Sequence, residues 1–139
     1  MIVQDIHLPK YGWHVRVYYA VTTYWAERII NDMERVGCDG RQLHRAYGSL
    51  RRGDLNTGIT YSNTAGGETV MGIGLTSSPA QFLNSWLHEM RHLSRHMERA
   101  CGISPYGEEA AYLAGDIGQR MFPVARKFIC EHCRKGLGI

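Results

Sequence analysis

A bilayer span needs roughly 20 consecutive apolar residues, and no uninterrupted apolar stretch in this chain approaches that length. The opening residues, Met1-Ile2-Val3-Gln4-Asp5-Ile6-His7, lack the basic segment and apolar run of a secretory leader, so no export is expected. Cysteine is scarce: Cys38, Cys101, Cys130 and Cys133 are too few and too unevenly spaced for the disulfide framework of a small secreted protein, and a reducing cytoplasm is the expected setting. Charge of one sign is lacking too. Sixteen Lys and Arg against 13 Asp and Glu leave +3, which gives no reason for a nucleic-acid partner. No internal repeat is present. With 139 residues, 44% hydrophobic and 21% charged, the composition excludes both a disordered polyelectrolyte and a pair of catalytic domains, and predicts one domain spanning 1–139. Histidine is what stands out, at seven residues.

Periodicity divides the chain into strands and helices. Trp13, Val15, Val17 and Tyr19 alternate with more polar residues, as in a half-buried strand. Ile2 to Leu8 is a weaker partner strand, joined to it through the turn Pro9-Lys10-Tyr11-Gly12. Trp25, Ile29, Met33 and Val36 then repeat at helical spacing, with Thr22 or Thr23 as cap and Gly37 as stop. A second helix follows Asp39, with Gln42 placed for a capping box, a stripe of Leu43, Ala46, Tyr47 and Leu50, and a display of Arg41, Arg45, Arg51 and Arg52. The arginines read first as a solvated face and second as an anion-binding patch. Short strands are predicted around Ile59-Thr60-Tyr61 and Thr69 to Leu75, turned by Thr64-Ala65-Gly66-Gly67.

The third helix has the clearest start, with Ser78 as cap, Pro79 at the first helical position and Gln81 completing a capping box; Gly102 is its natural end. Phe82, Leu83, Trp86, Leu87, Met90, Leu93 and Met97 form its predicted core face. The helix also carries His88-Glu89-Met90-Arg91-His92, an H-E-x-x-H whose histidines lie outside that face. Two histidines four apart stack on one side of a helix and can reach one metal ion, zinc above all. Glu89, about 100° further round, suits a general base acting on the water that the metal activates. For this composition one such pentapeptide arises by chance about two times in a hundred, so its setting inside a capped helix matters.

Zinc in a hydrolytic site takes three protein ligands and one open position. His96 lies two turns beyond His88, about 12 Å along the axis, too far to close the set from the same helix. Glu98 stands where a His-x-x-Gly-x-x-His extension would need histidine. The predicted third ligand is Glu108 or Glu109, in the first turn of a fourth helix that follows the turn Ile103-Ser104-Pro105-Tyr106-Gly107. Without the upstream motif, two glutamates at a helix start would merely favour its positive end. Asp116, two turns beyond Glu108, is placed to orient a ligand histidine, and Tyr112, Tyr106 and His96 are the donors considered for an oxyanion.

The segments Gly58-Ile59-Thr60-Tyr61-Ser62-Asn63, Val70-Met71-Gly72-Ile73, the H-E-x-x-H and Gly107-Glu108-Glu109-Ala110-Ala111-Tyr112-Leu113 together resemble small gluzincin-type zinc metallopeptidases, of the kind encoded by bacteriophages and mobile elements. The resemblance covers about half the chain. It implies a zincin-like active-site helix followed by a glutamate-bearing helix, one Zn2+ ion, and hydrolysis of a peptide or protein substrate. Counting four residues from the third ligand, where such enzymes place a supporting acidic residue, favours Glu108 over Glu109 and puts Tyr112 in that supporting position. It also implies a cleft-bordering edge strand that pairs with the substrate, here Val70, Met71, Gly72, Ile73 and Gly74, the alternative being an ordinary interior strand.

The expected fold is α+β, a small and largely antiparallel sheet packed by helices, with the metal between the Ser78–Cys101 helix and the one beginning near Gly107. Cys130-Glu131-His132-Cys133 has no second ligand pair nearby and reads as partly packed thiols beyond the bend expected at Pro123. The alternative function is a non-catalytic zinc-containing module of a phage or mobile element that binds protein or nucleic acid through the arginine-rich helix.

Overall fold

The computed structural model describes residues 2–139. The chain forms β1 (Ile2–Leu8), β2 (Trp13–Val21), α1 (Ala26–Arg35), α2 (Gly40–Arg52), β3 (Gly58–Asn63), β4 (Glu68–Gly74), α3 (Pro79–Cys101), α4 (Glu108–Ala125) and α5 (Glu131–Gly136), with single 3-10 turns at Pro9–Tyr11, Thr23–Trp25 and Arg126–Phe128. This is an α+β fold, and no helix among the described residues is long and apolar enough to cross a membrane.

The four strands form one sheet in the order β1-β2-β4-β3. β1 and β2 pair antiparallel, as do β3 and β4, but β2 and β4 at the centre run parallel. The sheet is therefore mixed. After β2 the chain crosses one face as α1 and α2, the kind of excursion a parallel pairing requires. It then lays β3 at the far edge and returns through β4 into the gap. The expected hairpins are present, and the largely antiparallel sheet is corrected at this one central pairing.

Alternation along the strands feeds two cores. Val15, Val17, Tyr19, Met71 and Ile73 face Phe82, Trp86, Leu93 and Met97 of α3 and Leu113, Ile117 and Met121 of α4. Tyr18, Val21 and Val70 face Ile29 and Met33 of α1 and Ala46 and Leu50 of α2. Helices thus cover both faces of the sheet, α3 and α4 on one side and α1 and α2 on the other.

Ser78 caps α3 as its sequence predicts, accepting from the Gln81 backbone N–H at 3.1 Å. Gln81 Oε1 accepts from the Ser77 backbone N–H at 3.0 Å rather than from that of Ser78, so the box closes one residue early. Gly102 ends the helix with φ +68°, a conformation that favours glycine. Leu83 and Leu87, expected in the core, are exposed. Asp39 starts α2 without a side-chain cap bond. Pro123 is accommodated near the end of α4, which runs on to Ala125 before the chain tightens.

Candidate functional site

The H-E-x-x-H lies in the middle of α3, where the helix passes beneath edge strand β3. Its three chemical residues line a cleft of about 490 Å³. Thr57 to Tyr61 form the cleft's floor along β3, and Gln42, Arg45, Ala46 and Ser49 of α2 form its opposite wall. Because α2 and α3 belong to opposite faces of the sheet, the cleft wraps around the free edge of β3.

The two imidazoles converge: His88 Nε2 and His92 Nε2 are 3.2 Å apart, and the His88 side chain is half exposed. Two nitrogens on one tetrahedral zinc, each at about 2.0–2.1 Å, would be separated by about 3.4 Å, close to the spacing of this pair, which is also that of a hydrogen bond between the two rings. Glu89 differs sharply from its neighbours, being only 2% exposed. Its Oε2 accepts from Thr57 Oγ1 at 2.6 Å and its Oε1 from Thr60 Oγ1 at 2.8 Å, while Oε2 stands 4.0 Å from His88 Nε2. Both oxygens of a buried carboxylate are satisfied, as burial of charge demands, and one of them adjoins the imidazole pair.

Sequence reasoning missed Thr57, Thr60 and Gly58. A Cβ at Gly58 would meet the Gly72 carbonyl oxygen at 2.1 Å and Glu89 Cγ at 2.9 Å, so the bare backbone is what admits the carboxylate beneath the strand. The available signal was the alternation Gly58, Thr60, Ser62, small or hydroxylated at every second position of a predicted strand.

The structure does not bring Glu108 or Glu109 to the histidines. Met121 Sδ accepts from Trp86 Nε1 at 3.3 Å, and a Cβ at Gly118 would lie 3.7 Å from Met90 Sδ. These contacts fix the antiparallel register of α3 and α4. Glu108 then stands level with Ala100, about 8–12 residues or roughly 12–18 Å along the axis from the histidine pair. α4 also packs on the side of α3 that carries Trp86 and Met90, away from the cleft. Among the described residues no group of three His, Cys, Asp or Glu side chains is arranged to hold a metal ion. Asp54, the other carboxylate lining the cleft, faces Arg52 at 3.7 Å.

The supporting residues expected from α4 are likewise elsewhere. Asp116 pairs with Arg120 at 2.9 Å, and Arg120 reaches the His7 carbonyl at 2.7 Å, which ties α4 to β1. Tyr112 and Tyr106 are exposed, Tyr112 beside Lys10 and Tyr11 in a separate groove. His96 is held through Nδ1 by Ser62 Oγ at 2.7 Å and does not line the cleft. Val70, Met71, Gly72, Ile73 and Gly74 belong to β4, which has a partner on each side. An interior strand has no free main-chain groups for a substrate; of the two edge strands, the one beside the cleft is β3.

His96 ends a chain of hydrogen bonds from the core. Trp13 Nε1 donates to Thr69 Oγ1 at 2.9 Å, Thr69 and Ser62 hydroxyls are 2.7 Å apart, and Ser62 meets His96 Nδ1. An indole N–H only donates. The orientation that leaves no hydroxyl proton idle runs from Trp13 to His96, making Nδ1 an acceptor and placing the ring proton on Nε2. Burial, then the neighbouring His92 and Arg99, hold this imidazole below the usual histidine value. At the C-terminus Cys130 is exposed and Cys133 partly so, and all four cysteines are free.

In comparisons with known proteins, no family model, no curated protein and no solved structure matches the chain.

Proposed function

We propose that the protein is a zinc-dependent peptidase in which His88 and His92 hold the ion and Glu89 is the general base. The observation that carries this reading is the pairing of two imidazole nitrogens 3.2 Å apart with a buried, doubly hydrogen-bonded carboxylate. Bound zinc would polarise a peptide carbonyl and make water acidic enough to react near neutral pH. Glu89 takes a proton from the attacking water and returns it to the departing amine as the C–N bond breaks. Thr57 and Thr60 fix the carboxylate so that Oε2 is the oxygen beside the histidines. The free edge of β3 receives an extended peptide through main-chain hydrogen bonds, which gives affinity with little demand on side chains. With no carboxylate from α4 in reach, the positions not taken by the two imidazoles fall to solvent and to substrate.

Two measurements test the reading. Metal analysis of protein prepared without chelators should find about one zinc per chain, absent from His88→Ala and His92→Ala. Glu89→Gln should keep the metal and lose cleavage of unstructured peptides. Zinc without cleavage by the wild type would leave a zinc-containing binding module instead, and absence of zinc would reject both.

A further inference from the structure

The α2 wall of the cleft has no part in that chemistry, yet its composition is specific. Gln42, Arg45, Ala46 and Ser49 recur on one helical stripe and all line the cleft. Among the charged groups there, Glu89 is bonded by two threonines and Asp54 faces Arg52. Of the neighbouring arginines, Arg51 and Arg52 each stand 3.7 Å from a carboxylate, Glu27 and Asp54, whereas Arg45 has no such partner among the described residues. Arg45 also borders a shallow depression with His44 and Arg52, so positive charge continues outward from the cleft.

A peptide added to the edge of β3 continues the sheet, and its successive side chains point to opposite faces. β3 itself shows where those faces lead. Thr60 and Ser62 bond to Glu89 and His96 on α3, while Ile59 and Tyr61 pack with the core beneath α1 and α2. Every second side chain of a bound peptide therefore turns toward α2 and its unpaired guanidinium.

Resting on the peptidase reading, we infer that Arg45 is a specificity-determining residue that selects substrates presenting a carboxylate toward α2. That carboxylate belongs either to an aspartate or glutamate flanking the scissile bond or to the end of the peptide chain. A guanidinium matches a carboxylate in two parallel hydrogen bonds, which an amide cannot reproduce.

The test is equilibrium binding rather than turnover. Four fluorescein-labelled ten-residue peptides, with Glu or Gln at the centre and a free or amidated C-terminus, are titrated by anisotropy into zinc-supplemented Glu89→Gln protein. If that variant does not fold, chelator-treated wild type replaces it. A carboxylate-bearing peptide should bind about tenfold more tightly than its neutral counterpart at low salt, the scale of one charge-assisted hydrogen bond. Arg45→Gln should abolish that preference and Arg45→Lys should retain part of it. Preference for central Glu identifies the side chain as the source, and preference for the free end identifies the terminus. The inference is wrong if none of the four binds, if charge makes no difference, or if the preference survives Arg45→Gln. Failure of the peptidase reading shows separately, as protein that holds no zinc or as zinc-loaded wild type that cleaves no peptide.

Discussion

Thr60→Val removes one hydroxyl and keeps the shape of the side chain, so its effect isolates the bond to Glu89. Oε1 of that buried carboxylate accepts from Thr60 at 2.8 Å, and the remaining partner, Thr57, serves Oε2 at 2.6 Å. A hydrogen bond to a charged group contributes about 1.5–3 kcal/mol. Thr60 itself is only partly buried, so water can recover some of the loss, and the expected cost is about 1.5–2 kcal/mol. At about 2.1 cal/mol/K per residue, a chain of 139 residues unfolds with an entropy of about 0.29 kcal/mol/K, and Tm should fall by about 5–7 °C. Calorimetry on Thr60→Val, Glu89→Gln and the double variant completes a cycle. In the Glu89→Gln background the same substitution should cost less than half as much, because a neutral amide accepts more weakly, giving a coupling of about 1 kcal/mol. An equal Tm drop in both backgrounds refutes the assignment, since the hydroxyl would then be stabilising something other than the carboxylate.

Three further outcomes follow from the geometry. Glu108→Gln and Glu109→Gln should retain zinc on dialysis as the wild type does; stoichiometric loss from either would show that α4 can reach the histidines after all. Gly58→Ala should destabilise the fold toward the upper end of about 1–3 kcal/mol, because the added Cβ meets a backbone oxygen at 2.1 Å, and urea unfolding that leaves the midpoint unchanged would contradict that packing. His96 binds a proton less readily in the fold than its ordinary value of 6.5, so the unfolded chain protonates first as pH falls below 6.5. Its stabilisation is complete above that pH and is lost as pH drops from there toward the folded value. In chelator-treated protein His96→Gln should therefore be less sensitive than wild type to a change from pH 7.5 to 5.5, and equal sensitivity would count against it.

Local signals carried most of the secondary structure. Ser78, Pro79 and Gly102 mark α3 because caps act within one turn, and the β1–β2 and β3–β4 hairpins follow from period-two runs separated by short turns. Those signals say nothing about which strands become neighbours across a long crossover. That is why the parallel pairing of β2 with β4 could not be read, and why an interior position for Val70 to Gly74 could not be chosen over an edge position. The histidine pair was legible for the same local reason, since residues four apart on a helix meet wherever the helix goes. A short turn after the motif helix suggests that the next helix starts beside the motif, which is what points to Glu108 and Glu109 as ligands. α3 runs nine residues past His92 to Cys101, as its Gly102 end predicts, so a helix following the Ile103 to Gly107 turn begins beside the far end of α3.

What fixes the site is the underside of β3. Its residues directed at α3 are Gly58, Thr60 and Ser62, and none presents an apolar side chain. A strand packed on a helix through valines or leucines would hold the two backbones apart and could not shelter a carboxylate. Here glycine lets Glu89 come within contact of the strand, Thr60 satisfies the charge so admitted, and Ser62 carries the hydrogen-bond chain from Trp13 and Thr69 to His96. Edge strand and helix are thus joined by side-chain hydrogen bonds spaced two residues apart on one and about two turns apart, Glu89 to His96, on the other. Those bonds orient Glu89 and His96 on α3 while leaving the outer edge of β3 free. Had the strand been anchored by apolar packing, the same H-E-x-x-H would have lacked its buried, doubly hydrogen-bonded carboxylate.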